Sequence, residues 1–172
     1  MKEPLTMWRF IALFLVVLAV LFGIEKLNPV QAALISPWTS FLAWFSAGLM
    51  TVFDADVISH GRVIQSQSAG FGVSIEAGCN GVEAVLILIA GMVAFPAPLR
   101  LKLLGIAAGC IAVQAANILR VISLYYLGKW DKEVFDFAHL YLWQALIMLD
   151  VLVVWLLWIR AVARNQGATL AV

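Results

Sequence analysis

Long apolar runs separated by short polar segments make up most of the chain. A helix needs about 20 apolar residues to cross the hydrocarbon core of a bilayer, which is about 30 Å thick. The pattern predicts a membrane all-α fold with four transmembrane helices, over about residues 7–24, 80–95, 101–122 and 137–159. No internal repeat or low-complexity linker interrupts it, so residues 1–172 are predicted to form a single membrane domain.

The first apolar run has two interpretations, an uncleaved signal anchor or a secretory signal peptide. Residues 30–32 (Val-Gln-Ala) resemble a small-x-small cleavage site. That site lies well past the apolar run, behind Glu25, Lys26 and Pro29. The sequence therefore favours the uncleaved anchor.

Residues 31–53 are apolar enough to span but are interrupted by serine, threonine and proline. If they do not span, both termini are cytoplasmic. The cytoplasmic side then carries the basic residues Lys2, Arg9, Arg100, Lys102, Arg160 and Arg164. This arrangement obeys the positive-inside rule better than a spanning segment would. The segment is predicted to be an amphipathic helix in the outer interface, with Trp38 and Trp44 near the headgroups.

The chain changes character over residues 56–76. Short β-like runs over residues 57–59, 62–64 and 71–75 are separated by turn-forming glycines. A lipid-exposed sheet edge is not tolerated in the hydrocarbon core. We expect a small β-hairpin or three-stranded flap on the outer face, which leads the chain into Cys79.

The composition agrees with a membrane protein and excludes several function classes. The chain is 64% hydrophobic and 12% charged, with a net charge of +1, and its mean hydropathy is +1.00. A nucleic-acid role has no electrostatic support. Cys79 and Cys110 form no Cys-x-x-Cys motif, and His60 and His139 have no metal-ligand spacing. No metal and no cofactor is predicted.

Counting 1.5 Å per residue along the predicted helices brings three side chains to one depth. Arg120 lies about 30 Å above Arg100 on the third span, and His139 lies roughly 31 Å above Arg160 on the fourth. Cys79 directly precedes the second span. The spacing predicts that the three residues meet the outer surface, although it does not say whether they face each other.

A cysteine, an arginine and a histidine at one depth permit nucleophilic acyl transfer. The thiolate of Cys79 is the reactive form, and a helix N-terminus or a nearby cation such as Arg120 lowers a thiol pKa. His139 can take the thiol proton and return one to the leaving amine. Arg120 can stabilise an oxyanion or hold the substrate backbone.

Each of these residues also has a structural interpretation. Cys79 can be a small buried hydrophobe, as is expected for Cys110 in mid-span. Arg120 can snorkel to the headgroups, and His139 can be an ordinary interfacial residue. His60 is a competing base, although a His-Gly turn is usually solvated.

Neighbouring polar residues are expected to support the site. Asn80 and Glu83 resemble a helix capping box, and Glu83 is also placed to pair with Arg120. Asn117 lies one turn below Arg120 and is expected to support it.

One further polar residue lies deep in the predicted bilayer. Asp150 falls in mid-span and must face the bundle, with Gln114 near the right depth to contact it. A structural contact is expected there rather than a catalytic one, because Asp150 lies about 16 Å below His139.

Four stretches of the chain form a distinctive set. They are Glu76-Ala77-Gly78-Cys79-Asn80-Gly81-Val82-Glu83, Ala94-Phe95-Pro96, Asn117-Ile118-Leu119-Arg120 and Phe137-Ala138-His139-Leu140-Tyr141-Leu142-Trp143-Gln144. This set resembles the exosortase/archaeosortase family and looks most like exosortase H. The resemblance covers nearly the whole chain. This chain is shorter than the larger exosortases, so features of their extra helices do not transfer.

The resemblance implies a multi-pass cysteine transpeptidase of the bacterial inner membrane with its active site facing the periplasm. Its expected partners are membrane lipid and exported proteins with a C-terminal sorting signal, which comprises a short motif, of IPTL type for exosortase H, a hydrophobic span and a basic tail. Cys79, Arg120 and His139 are the implied catalytic residues. The alternative is a non-catalytic membrane subunit that binds a lipid or a partner transmembrane helix, and a redox role for Cys79 and Cys110 is a more distant one.

Overall fold

The structure, a computed structural model, describes residues 7–169, with side chains through residue 165. Lys2, one of the residues behind the predicted orientation, lies outside the described part. The helices are α1 (Met7–Glu25), α2 (Asn28–Val30), a π-helical turn (Gln31–Ile35), α3 (Ser36–Met50), α4 (Val82–Ala94), α5 (Leu99–Trp130), α6 (Lys132–Phe137), a second π-helical turn (Ala138–Leu142) and α7 (Trp143–Thr169). The strands are β1 (Val57–His60), β2 (Val63–Ser66) and β3 (Gly72–Ser74). The fold is mostly helical, with one small sheet.

Four helical segments of the described chain are long and apolar enough to cross a membrane. They are Met7–Glu25, Asn28–Met50, Leu99–Trp130 and Lys132–Asn165. The number agrees with the prediction, but the members differ. The predicted second span is the 13-residue helix α4, which is about 20 Å long and shorter than the hydrocarbon core.

Helix α4 is shorter than predicted because of the residues at its two ends. Gly81 precedes it with a φ of 74°, in the left-handed region that a continuing helix cannot use. Phe95 follows it in an extended conformation, as expected for a residue before Pro96. The turn that carries Cys79 therefore stays outside the helix.

The segment Asn28–Met50 packs against the second half of α5. In the middle of the segment, the Thr39 hydroxyl accepts a hydrogen bond from Asn80 Nδ2 (3.2 Å). Just beyond its end, the Asp54 carboxylate lies 3.3 Å from the Tyr126 hydroxyl and 3.9 Å from Lys129 Nζ. The segment is long and apolar enough to span a membrane. The predicted location in the outer interface is therefore not confirmed and stays a prediction.

Close packing of α4, α5 and α7 builds the apolar core of the bundle. Leu88, Met92 and Val113 are at most 1% exposed. The Trp158 ring lies over Gly105, where an added Cβ would fall 2.2 Å from the indole nitrogen. Small residues let helix backbones approach in this way, so Gly105 sets the distance between α5 and α7.

The β-sheet forms a flap that packs against α3 and the second half of α5, and the prediction of a small three-stranded sheet is confirmed. Its strands are antiparallel in the order β1-β2-β3. Val57 and Ile64 are buried against α3 and α5. At the base of the flap, Asp56 accepts hydrogen bonds from the Ser66 hydroxyl and the Ser68 amide, and the first of these lowers the carboxyl pKa most.

Candidate active site

Cys79 lies in the turn between β3 and α4, and two glycines shape that turn. Gly78 has a φ of 83° and Gly81 a φ of 74°, both in the left-handed region. Asn80 between them is 1% exposed. Its side chain accepts from the Val82 amide (3.0 Å) and donates to the Thr39 hydroxyl (3.2 Å). Hydrogen bonds to α4 on one side and to α3 on the other therefore fix the turn.

The predicted capping box is not formed. The N-cap of α4 is Gly81, which has no side chain to cap the helix. Asn80 lies one residue earlier and accepts only from the Val82 amide, and the described residues contain no hydrogen bond from Glu83 back to the Asn80 amide. The left-handed Gly81 moves the helix start one residue beyond the predicted position, which displaces Glu83 from the third helical position. The sequence pattern therefore placed the N-cap one residue too early, at Asn80 instead of Gly81.

The two glycines of this turn should differ in their tolerance of alanine. Gly78→Ala meets no atom within 4 Å and should cost only the left-handed strain, roughly 1–2 kcal/mol. Gly81→Ala would also place a Cβ 2.9 Å from Gln114 Nε2 and 3.2 Å from Asn117 Cγ, which should add about 1–3 kcal/mol. Thermal unfolding in detergent should therefore rank wild type, Gly78→Ala and Gly81→Ala in falling order. Equal melting temperatures for the two variants would contradict this packing.

The structure brings the three predicted site residues into contact. Cys79 Sγ lies 3.2 Å from His139 Nε2. Arg120 Nη2 lies 3.5 Å from the same sulfur. The residues come from the turn before α4, from α5 and from the π-helical turn before α7. The thiol thus has a possible base and a permanent cation within reach.

The direction of His139 depends on the π-helical turn Ala138–Leu142. A π turn inserts one extra residue into a helix and rotates the side chains that follow. Phe135 stacks on the imidazole at 5.5 Å between ring centroids and 24° between planes. Sequence reasoning missed both features, because no residue pattern marks the π turn.

Arg120 is buried, at 4% exposure, so it does not snorkel to the headgroups. Within the described residues, its guanidinium makes no ion pair and donates a hydrogen bond only to Cys79 Sγ. A buried cation without a carboxylate partner is costly. Arginine has five N–H donors, so most of them remain available for another acceptor beside the sulfur.

The other two predicted supporting residues, Glu83 and Asn117, form neither an ion pair nor a hydrogen bond with Arg120 in the described part of the chain. Glu83 forms no ion pair with Arg120 in the described part of the chain, which corrects that possibility. Asn117 is fully buried, and its amide packs against Gly81 without a hydrogen bond to any described residue. Its support of Arg120 is therefore not a hydrogen bond. Asn117 instead limits the space beneath the Cys79 turn.

Three further sequence-predicted residues lie away from the thiol or lack the expected contact. His60 is exposed at the end of β1 and does not border the Cys79 cavity. Cys110 lies within α5 and is free. Asp150 Oδ2 is buried without a hydrogen-bond partner among the described residues, so the expected contact with Gln114 is not formed.

The thiol opens into a small cavity of about 80 Å³. The flap forms one wall, and α5 with α6 and the π-helical turn Ala138–Leu142 forms the other. The lining residues are Val73, Ser74, Ile75, Glu76, Cys79, Arg120, Val121, Leu124, Phe135 and His139. The cavity is mainly apolar, and two of its polar side chains, Arg120 and His139, contact the sulfur.

The pKa of the Cys79 thiol is shifted in the direction opposite to the expected one. Burial raises the pKa of the thiol, the Arg120 guanidinium lowers it, and the carboxylates of Glu83 and Glu76 raise it again. Burial dominates because it penalises the charged thiolate. The resting group is therefore a neutral thiol, and His139 is the contacting side chain that can accept its proton, since a guanidinium cannot.

The pH dependence of alkylation tests this protonation state. In a Cys110→Ala background, the rate of iodoacetamide addition to Cys79 should reach half its maximum at a higher pH than that of free cysteine, because only the thiolate reacts. Arg120→Met should shift the midpoint further up, and Glu76→Gln should shift it down. The exposed Glu133→Gln is the matched control and should leave it unchanged. A midpoint below that of free cysteine would contradict the neutral thiol.

The family model described as transmembrane exosortase, EpsH type, matches residues 3–157 of the chain. The chain belongs to this family. The exosortase is thus a multi-pass membrane protein with a mostly helical fold, and its family suggests the peptidase or transpeptidase class.

Other similarities of this exosortase are weaker. Transmembrane protein 160 of Mus musculus is 32% identical over 97 residues, which is 56% of this chain and 51% of the relative. The chain spans about half the length of this curated relative, so the likeness assigns no activity to it. No solved structure matches the exosortase.

Proposed function

We propose that this exosortase is a membrane cysteine transpeptidase that cleaves the C-terminal sorting signal of exported proteins through a thioester on Cys79. The observation that carries the proposal is the position of one sulfur, 3.2 Å from His139 Nε2 and 3.5 Å from Arg120 Nη2. A nucleophile, a base and an oxyanion donor are the groups that acyl transfer requires. Their assembly from three distant parts of the chain is hard to explain as packing.

The proposed reaction begins as Cys79 Sγ attacks the scissile carbonyl carbon and its proton passes to His139 Nε2. The carbonyl π electrons move to oxygen, and the free N–H groups of Arg120 hold the oxyanion. When the tetrahedral intermediate collapses, the C–N bond breaks and His139 returns the proton to the leaving amine. An acceptor amine or water then attacks the thioester, with His139 as base, and restores the thiol.

The family resemblance and the charge distribution support the proposed substrate and location. By resemblance, the substrate carries an IPTL-type motif, a hydrophobic helix and a basic tail. Trp158 donates to the Leu101 carbonyl (2.8 Å), so Arg100 and Arg160 lie at one end of the bundle, opposite Cys79. With the positive-inside rule, this charge distribution supports a site on the periplasmic face of the bacterial inner membrane.

Co-expression with a tagged reporter tests the proposal. The reporter ends in an IPTL-type motif, an apolar helix and a basic tail, and its mass is measured after membrane extraction. We expect loss of the tail and a hydroxylamine-sensitive adduct on the peptide that contains Cys79. An unprocessed reporter, or an adduct on Cys110 alone, would contradict the proposal.

The alternative function is a non-catalytic membrane subunit that binds a lipid or a partner transmembrane helix. One observation favours it, an apolar cavity of about 260 Å³ between α1, α4 and α7 that Phe10, Gly91 and Trp155 border. A binding subunit should tolerate Cys79→Ser without loss of function. The transpeptidase should not, so this variant separates the two.

A further inference from the structure

Strand β3 has one unpaired edge. It pairs with β2 on one side and is the last strand of the sheet. The Ser66 amide donates to the Phe71 carbonyl (2.8 Å), and the Ile75 amide donates to the Arg62 carbonyl (3.0 Å). In an antiparallel ladder, alternate residues direct both main-chain groups to the same side. Residues 71, 73 and 75 therefore face β2.

The residues between them, Gly72 and Ser74, direct their N–H and C=O groups to the open edge. In the described part of the chain, these groups make no hydrogen bond on that side. An edge with free main-chain groups is a template for another strand. The edge ends where the Glu76 carbonyl accepts from the Cys79 amide (3.0 Å), so it leads directly to the thiol.

The open edge, not a face of the sheet, borders the Cys79 cavity. Side chains of a strand alternate between its two faces, so a cavity on one face would contact every second residue. The four consecutive residues 73–76 all line the cavity, together with Cys79, Arg120 and His139. Four consecutive lining residues are expected when a cavity lies against the edge of a strand and not against one of its faces.

We propose that the substrate segment before the scissile bond binds as a fourth strand on the open edge of β3. The inference rests on the proposed transpeptidase function and adds how the peptide is held. An extended peptide is the occupant because it alone offers main-chain donors and acceptors that match those of Gly72 and Ser74. Strand addition also fixes the position of the scissile carbonyl, since the edge runs into the Cys79 turn.

Ser74→Pro tests the inference in the otherwise intact enzyme. Proline removes the amide that faces the open edge and leaves the β2–β3 hydrogen bonds, which edge strands tolerate. We expect processing of the reporter to fall about tenfold or more, as for loss of a buried hydrogen bond. Ser74→Ala is the matched control, because it keeps the amide and removes only the bond from the Ser74 hydroxyl to Glu76 Oε1 (2.8 Å). Processing by Ser74→Ala should clearly exceed processing by Ser74→Pro, because strand addition uses the Ser74 amide and not its hydroxyl.

The possible outcomes separate the two proposals. Unchanged processing by Ser74→Pro would overturn strand addition and leave the transpeptidase intact. No processing by wild type would overturn the proposed function, and the inference with it. Unchanged Cys79 alkylation in Ser74→Pro shows that the site is still assembled.

A second measurement covers the case in which Ser74→Pro does not fold. Peptide substrates with a single N-methylated amide, moved one position at a time before the scissile bond, are processed by the wild-type enzyme. Strand addition predicts losses at alternate positions, because only every second amide faces β3. Equal processing at all positions, or equal loss at all of them, would overturn the inference.

Discussion

Replacing Cys79 by alanine is expected to abolish processing of the reporter while the protein stays folded. The variant removes the only group at the site that can form the thioester, and removal of a catalytic nucleophile costs at least about a thousandfold. Alanine is smaller than cysteine and leaves the Asn80 and Thr39 hydrogen bonds in place. Reporter mass and immunoblot measure the loss, and the melting temperature in detergent measures the fold.

Cys79→Ser and Cys110→Ala complete this experiment. Serine keeps a hydroxyl near His139 but lacks the acidity of a thiol, so its processing should also fall below detection. Cys110→Ala should process at the wild-type rate, because Cys110 lies within α5, away from the cavity. A folded Cys79→Ala variant that processes as well as wild type would remove Cys79 as nucleophile and favour the binding-subunit alternative.

Arg120→Gln should lower the rate constant of processing by about 10²–10³-fold, the usual cost of losing an oxyanion donor. The apparent KM should change little, because the interaction forms mainly in the transition state. Arg120→Lys should restore little, since an ammonium cannot reproduce the fixed guanidinium fork. Rates at saturating and limiting reporter peptide separate kcat from KM.

A second readout distinguishes this role from simple packing. Arg120 lowers the pKa of the Cys79 thiol, so Arg120→Gln should shift the alkylation midpoint upward and Arg120→Lys should largely keep it. The exposed Arg164→Gln is the matched charge control and should alter neither rate nor midpoint. Processing by Arg120→Gln at a rate within a few-fold of wild type would contradict the role of Arg120 as an oxyanion donor.

Several local features of the fold were predictable from short stretches of sequence. The apolar run that forms α1, the turn glycines that separate the strands and the prolines after α4 act over a few residues, so their patterns are readable. The equal height of Arg120 and His139 was also readable, because the helix rise is constant. The ends of α4 were less predictable, because Gly81 both adopts a left-handed φ and lies in close contact with Asn117.

The geometry of the site depends on contacts between distant parts of the chain. The Asn80–Thr39 bond joins positions 41 apart, and the Cys79–His139 contact joins positions 60 apart. No local pattern specifies the helix rotations that create them, and the π turn at His139 adds another rotation. The sequence therefore indicated a cysteine, an arginine and a histidine at one height.

Tertiary packing settled the direction and the protonation of these groups. It buries Arg120 without a carboxylate partner, and burial raises the pKa of Cys79 where a lowered one was expected. Apolar periodicity and charge bias suffice to predict a membrane protein and the depth of its polar residues, because both act along one dimension. Neighbours, exposure and thiol acidity are three-dimensional properties, and they arise only when α4, α5, α7 and the flap pack together.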